Sequence, residues 1–360
     1  MAASTSVLQP KLYIKTTKKK ATKTGPVKDK NGILRTSDPE VAEAFGEELG
    51  DQLKSGEPVD VNWNENHPFD QTEETLSQVY ISPDAVRSQI KKANRGAAPG
   101  PDGIPMEAFA EGCDIIAEPL AMLYNFVNQT GKIPRIFKTT RVKMLHKKKA
   151  KDDLKNYRPL SMSNHIGNIW QRLMNEALKD HLERNGLLSR RQHGFRNKMG
   201  TTTNLMELWE HIVEVVEKEG ALVELWSFDL TKAFDLLDHS KVLNLLLKSG
   251  VNGKFGECIE AWLTNRTQYI EVGSAKSKPT RVGRSCVQGS ILGPTLWLVY
   301  IQSLMDLLEE ENVDFFGYAD DIAIVKRILS KEDQKDFEKI LEILQKWAKD
   351  FAMKWSPTKT

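Results

Sequence analysis

The chain has 360 residues, 40% of them hydrophobic and 28% charged, with a net charge of only +2. Those are ordinary values for a globular protein with room for a sizeable core and two subdomains. No apolar run approaches the length of a membrane-crossing helix, since the best one, Ile291 to Ile301, is short and contains Gly293-Pro294. The N-terminus lacks a signal-peptide core. Three scattered cysteines and seven unclustered histidines argue against a disulfide framework or a structural zinc site and fit a reduced intracellular compartment.

In chain order, residues 1–35 are lysine-rich and poorly patterned, and weak order is expected there. Eight lysines and one acid lie between Lys11 and Lys30. A solvated tail is the plain reading, and a nuclear-localisation or RNA-contacting arm is the alternative. Val41, Ala44, Phe45, Leu49 and Leu53 are spaced for a helix over 39–55, and a loop is expected over 56–72. Ser82-Pro83 opens a helix over 83–94. A Gly/Pro-rich loop at 96–105 precedes helices over 106–130 and 166–184. Between Lys132 and Arg158 there are eleven Lys or Arg and two acids, interleaved with strand-type residues such as Val142 and Leu145. A basic, strand-rich face suits phosphate contact. A helix over 203–219, a strand over 222–229 ending in Asp229, and a leucine-rich helix over 240–249 follow. A hairpin is expected over 268–287, a buried helix from Pro294 to Glu310, and a second hairpin over 313–326. The last helix is expected to start at Ser330, with Asp333 as its capping-box partner, and to run to about Met353. Helices mixed with small antiparallel sheets indicate an α+β fold.

The chemistry concentrates at two strand ends. Tyr318-Ala319-Asp320-Asp321 puts two carboxylates at the tip of an apolar hairpin, and Asp229 ends another apolar strand. Burying one ionised carboxylate costs several kcal/mol unless something compensates it, and adjacent ones repel. Brought together, the two strand ends make a site for two Mg²⁺ ions, with Mn²⁺ as a substitute, the apparatus of nucleotidyl transfer. Asp229 and Asp320 are the expected bridging ligands. Neighbours on a strand face opposite ways, so Asp321 is expected as a helper that ligates one ion or tunes Asp320. The Leu230 carbonyl is a further candidate ligand. Turn-capping is the plain alternative for the aspartates, and it suffices for Asp235 and Asp238. Arg158 is the expected triphosphate clamp because guanidinium grips phosphate bidentately. A surface pair with Asp153 is its plain alternative. Lys147, Lys148 and Lys149 are weaker candidates for that grip. Lys143 and Arg196 are candidates for the template backbone.

With Gln288-Gly289-Ser290 between them, the Asp229 and Asp320 segments resemble the A, B and C motifs of reverse transcriptases. Pro99-Gly100-Pro101-Asp102-Gly103-Ile104-Pro105, Asn156-Tyr157-Arg158-Pro159-Leu160-Ser161 and Gln192-His193-Gly194-Phe195-Arg196 are similar to further marks of the non-LTR, LINE-type retrotransposon group. The resemblance runs from about residue 25 to Thr360. It implies an RNA-directed DNA polymerase with a right-hand arrangement. Its parts would be a helical upstream segment at 36–79, fingers at 80–219 and a palm at 220–360. RNA template, DNA primer and deoxynucleoside triphosphates are the implied partners, and a nuclear or cytoplasmic ribonucleoprotein is the implied setting.

The family continues into a primer grip and a thumb, so a chain ending at Thr360 reads as a truncated piece or a fragment. A non-polymerising nucleic-acid-binding remnant is therefore one rival reading. An RNA-dependent RNA polymerase is another, and the bulky Phe234 argues against it. The resemblance places Phe234 under the incoming sugar, where it would exclude a 2′-hydroxyl; a core aromatic is the alternative. It places Gln288 and Gly289 near the base. It makes Gly100 and Asp102 part of a template-contacting loop, whose composition a plain Pro/Gly turn explains nearly as well. Lys359 matches a position proposed to protonate leaving pyrophosphate. Val287, where the family has Pro, and Ser356, where it has Asn, depart from the pattern.

Overall fold

The computed structural model describes residues 24–53, 59, 61–64, 74–147, 149–219, 222–286, 289–328 and 336–356. Near its start, Val27–Lys28 (β1) and Leu34–Arg35 (β2) pair as a small hairpin. Asp29 Oδ1 accepts the amides of Asn31 and Ile33 across the turn, and Arg35 donates twice to its Oδ2. Val27 is fully buried. Residues 24–35 are thus ordered by a carboxylate-centred turn that the lysine-rich composition concealed.

Asp38–Gln52 (α1) begins at a Ser37 capping box with Glu40. Its apolar side, Val41, Phe45 and Leu49, is buried. Pro83–Lys92 (α2) is capped by Ser82 Oγ, which accepts from Ala85 N at 3.1 Å. The helix expected over 106–130 divides at Gly112 into Met106–Glu111 (α3) and Cys113–Thr130 (α4). Glycine is a poor interior helix residue, so the break falls there.

Arg135–Lys138 (α5) leads into Thr139–His146 (β3), which pairs antiparallel with Tyr157–Met162 (β4). His165–Arg184 (α6) and Thr201–Glu219 (α7) precede Leu222–Asp229 (β5). Ala233–Leu236 (α8) and His239–Lys248 (α9) follow, then Gly253–Leu263 (α10), a helix the sequence reading lacks. Two glycines in its first turn lower its intrinsic propensity. Tertiary contact explains one of them: a Cβ on Gly256 would meet the Trp63 ring at 2.0 Å. The Trp63 indole packs there and donates to Glu260 at 2.6 Å.

Arg266–Val272 (β6), Ala275–Lys276 (β7) and Thr280–Val282 (β8) form the next hairpin region. Gly293–Glu310 (α11) is the buried helix, with Leu296, Trp297, Tyr300 and Ile301 all inaccessible. Asp314–Tyr318 (β9) and Asp321–Ile328 (β10) make the carboxylate hairpin, and Asp336–Asp350 (α12) is the described part of the last helix. Its expected start at Ser330 and cap at Asp333 lie outside the described residues.

Among the described residues, one three-stranded antiparallel sheet has the order β5-β10-β9. A second sheet has the order β4-β3-β6-β7, with β8 also on β6. β3 and β6 run parallel, Thr139 opposite Thr267. This sheet joins strands from both sides of the boundary expected at 219/220, so that boundary does not separate two sheets. The mixture of helices and sheets is the expected α+β class.

Two apolar cores follow from this pairing. The larger gathers α2, α4, α6, α9, α10, α11 and the buried side of β9 and β10. The smaller joins α1 to β3, β6 and β8 through Phe45, Leu49, Val142, Ile270 and Val282.

Candidate active site

The hairpin of β9 and β10 closes through a two-residue turn, Ala319-Asp320, because Tyr318 pairs with Asp321. Asp321 pairs on its other side with Asp229 at the end of β5. Directly opposed residues share a sheet face, so the two chain segments deliver their carboxylates to one end of the sheet. Asp320 stands on the turn and Asp321 on the strand, so the two acids are not equivalent. Asp229 and Asp320 line one cleft; Asp321 is exposed at the strand's start.

Ala319 takes a left-handed φ of +59°. A non-glycine residue there costs on the order of 1–3 kcal/mol and persists only where its surroundings hold it. Gln192, 1% exposed, does so. Its Oε1 accepts from Ala319 N at 2.9 Å, and its Nε2 donates to Ala319 O at 3.2 Å. Trp297 Nε1 donates to the same carbonyl at 3.1 Å. One residue before the tyrosine, Gly317 O accepts from His193 N and from Asn204 Nδ2, and Gly317 N donates to Arg191 O. Gly194 lies so close that a Cβ on it would meet Ala319 N at 2.2 Å. The segment 191–194 is a brace for the carboxylate turn. In the sequence only Arg196 of this segment stands out as a site candidate, and the motif itself is the single signal for the brace.

The cleft beside Asp229 and Asp320 has a volume of about 730 Å³. Lys147, Arg158, Lys232, Phe234 and Gly289 also line it, as do Phe45 and Glu48 of α1. Arg158 is exposed on β4, and no ion pair to it occurs among the described residues. Asp153, its alternative partner, instead accepts from Lys155 N at 2.9 Å. Phe234 is half-buried. Its ring stacks on Trp297, with centroids 5.7 Å apart, and meets Phe195 edge-on at 5.8 Å.

Gly289 has φ +93°, and a Cβ there would approach Ser161 O to 3.1 Å. Ser290 Oγ accepts from Gly293 N and donates to Cys286 O, fixing the entry to α11. Gln288, Lys148 and Lys359 lie outside the described residues.

Other expected site residues stand elsewhere. Lys143 is half exposed on β3, with Nζ 3.4 Å from Glu271 Oε1. Arg196 is committed internally: Nε and Nη2 grip Glu183 at 2.9 and 2.6 Å, and Nη1 donates to Ser189 O at 2.6 Å. Its guanidinium ties α6 to the brace, the alternative use to the expected template contact. Gly100 has a packing reason, since a Cβ would meet Asn164 Cα at 2.6 Å. Asp102 N donates to Asn164 Oδ1 and Asp102 Oδ1 accepts from Ile104 N, so the 99–105 loop is pinned to the start of α6. Those contacts favour the turn over a free template-contacting loop.

The donor set suits a hard cation. Mg²⁺ is commonly held by one or two carboxylates, with water and substrate phosphate completing its shell. Among the described residues no group of three or more His, Cys, Asp or Glu is gathered so that it could hold a metal ion. Asp229 and Asp320 lie on one cleft, with Asp321 across from Asp229. Leu230 bridges to Trp355 through Ser356 N→Asp229 O and Thr231 N→Lys354 O. Those bonds flank Leu230, so its own carbonyl faces away from that bridge. Burial pushes the Cys258 thiol up to about 12 and that of Cys286 still higher, which disfavours the thiolate at both.

The family model described as reverse transcriptase (RNA-dependent DNA polymerase) matches residues 145–360, and the chain belongs to that family. The RNA-directed DNA polymerase from mobile element jockey of Drosophila melanogaster is 27% identical over 280 residues, covering 75% of this chain and 30% of that protein. The probable RNA-directed DNA polymerase from transposon BS of the same organism is 26% identical over 248 residues, covering 67% and 27%. A retrovirus-related Pol polyprotein from type-1 retrotransposable element R2 of Popillia japonica is 25% identical over 257 residues, covering 67% and 34%. The chain is a reverse transcriptase domain of the non-LTR retrotransposon kind, and it spans about a third of the length of these relatives. No helix among the described residues is long and apolar enough to cross a membrane.

Proposed function

We propose that the chain carries out RNA-templated DNA synthesis, adding deoxynucleotides to a primer 3′-hydroxyl with release of pyrophosphate. The observation that carries this reading is the convergence of Asp229 and Asp320, distant in sequence, on one cleft with Arg158 and Phe234. Asp229 and Asp320 would hold the divalent ions, with Asp321 and the Leu230 carbonyl beside them. Two Mg²⁺ ions, or Mn²⁺ in their place, supply activation of the hydroxyl and neutralisation of the triphosphate. Arg158 grips the triphosphate from β4. Phe234, propped by Trp297 and Phe195, occupies the space a ribose 2′-hydroxyl would need. Gly289 lets the backbone approach the nucleotide. The sheet of β5, β10 and β9 with α11 acts as the palm, and β3, β4 and the helices before them as fingers. RNA template, DNA primer and deoxynucleoside triphosphate are the substrates.

Primer extension on an RNA template with Mg²⁺ tests the reading. Wild type should extend the primer, while Asp229→Asn and Asp320→Asn should abolish extension and leave RNA binding intact. Asp321→Asn should be severe, with a trace retained in Mn²⁺. Full extension by Asp320→Asn would end the assignment.

A further inference from the structure

Lys232 lies between Asp229 and Phe234, and none of the roles above uses its ammonium. It lines the same cleft as Arg158 and Lys147. Its backbone is left-handed, with φ +54°, a conformation side chains other than glycine rarely adopt. From there Nζ donates to Gln52 Oε1 at 2.8 Å. Gln52 Nε2 in turn donates to Glu48 Oε1 at 2.7 Å, one helical turn back on α1. Both residues precede the region the family model matches, which begins at residue 145. No ion pair to Lys232 occurs among the described residues.

The choice of partner is informative. A carboxylate in the place of Gln52 would orient the ammonium and also cancel its charge. A neutral amide orients it and leaves the charge available. Glu48 fixes the amide from the far side, and its own charge stands one residue removed. This is the arrangement expected of a cation held for an anion that arrives from solvent. A lysine ammonium is a compact charge with three donors, and one is used by Gln52.

We propose that Lys232, positioned by Gln52 of α1, is a ligand of the incoming nucleotide's triphosphate. Helix α1 thereby sets nucleotide affinity from outside the matched region. The proposal rests on the polymerase reading. Backbone phosphate of the template or primer presents the same chemistry, and the test separates the two sources.

The chain is bound to an RNA template with a dideoxy-terminated DNA primer, and dTTP affinity is titrated in Ca²⁺. Duplex affinity, thermal melting and steady-state incorporation are measured beside it. Lys232→Gln should weaken dTTP binding roughly ten- to hundredfold, the range for a lost hydrogen bond to a charged group. It should raise KM with kcat little changed, and Lys232→Arg should recover most of the loss. Gln52→Ala should weaken dTTP binding severalfold. Gln52→Glu is the decisive variant. A carboxylate holds the ammonium better, so melting should be unchanged or higher, yet dTTP should bind at least as weakly as in Gln52→Ala. Duplex affinity should stay constant in all variants. Unchanged dTTP affinity in Lys232→Gln, a loss that appears in duplex affinity instead, or wild-type dTTP affinity in Gln52→Glu would overturn the proposal. Failure of the polymerase reading has a different signature: wild type and Asp320→Asn would incorporate equally, whatever the titrations show.

Discussion

Phe234 combines an observed packing role with a proposed one in the cleft. Its ring is stacked on Trp297 and braced edge-on by Phe195, so it is a packing residue. It also lines the carboxylate cleft, where the proposed function has the same ring limit what fits. Packing makes the limit rigid, because a ring that cannot yield excludes an extra hydroxyl by overlap. Phe234→Val should raise ribonucleotide use far more than it lowers deoxynucleotide use. A loss of about 1–3 kcal/mol of discrimination corresponds to roughly 5- to 150-fold in the ratio of kcat/KM values. Some stability should be lost as well, through the cavity left beside Trp297. Single-nucleotide incorporation with both sugars, beside a thermal melt, checks this. A lower melting temperature with an unmoved sugar ratio would leave Phe234 a core residue only.

At the scale of elements, the hairpin of β9 and β10 depends on a segment more than a hundred residues earlier in the chain. Apolar runs draw both strands into the sheet, but they say nothing about a strained alanine at the turn. Gln192 supplies two of the three hydrogen bonds that pin Ala319, Trp297 supplies the third, and Gly194 provides the space. Gly194→Ala should destabilise the protein by roughly 1–3 kcal/mol, because the new methyl meets backbone that cannot rotate away. Incorporation should fall more steeply than stability, since the displaced atoms belong to the residue before Asp320. Gln192→Ala should act in the same direction. Urea unfolding and primer extension read the two effects. Wild-type kinetics in Gly194→Ala would show that the turn does not need the brace.

At the scale of the whole molecule, two apolar cores meet along the cleft. Phe45 and Leu49 belong to the smaller core, and Leu230 and Phe234 belong or pack to the larger. The larger core also contains titratable groups. Burial lowers the pKa of His239, against the opposing effects of the Ser285 carbonyl its ring donates to and of nearby Asp238. Burial also lowers that of His165, against Asp102 and Glu107. A histidine depressed in the folded state takes up its proton more readily when unfolded. Stability is therefore fully present above the ordinary value of 6.5 and declines as pH falls through it toward the folded value. The urea midpoint should fall between about pH 8 and about pH 5.5. A midpoint that rises over that interval would contradict the burial assigned to these rings.

The placing of carboxylates at two strand ends was legible in the sequence because its signals are local. Short apolar runs mark β5, β9 and β10, and charges at the ends of apolar strands stand out by their cost. Helices α2, α6, α7 and α11 were legible for the same reason, from caps and 3.6-residue spacing within one stretch. What only the tertiary structure decided lies in contacts between distant segments, which leave no periodic trace. The parallel joint of β3 with β6, the helix α10 whose glycine makes room for Trp63, and the internal use of Arg196 are of that kind. So is the Gln192 brace. The link from Glu48 through Gln52 to Lys232 is the furthest case, because a glutamine at the end of an amphipathic helix has no meaning until folding sets it 2.8 Å from a lysine 180 residues away.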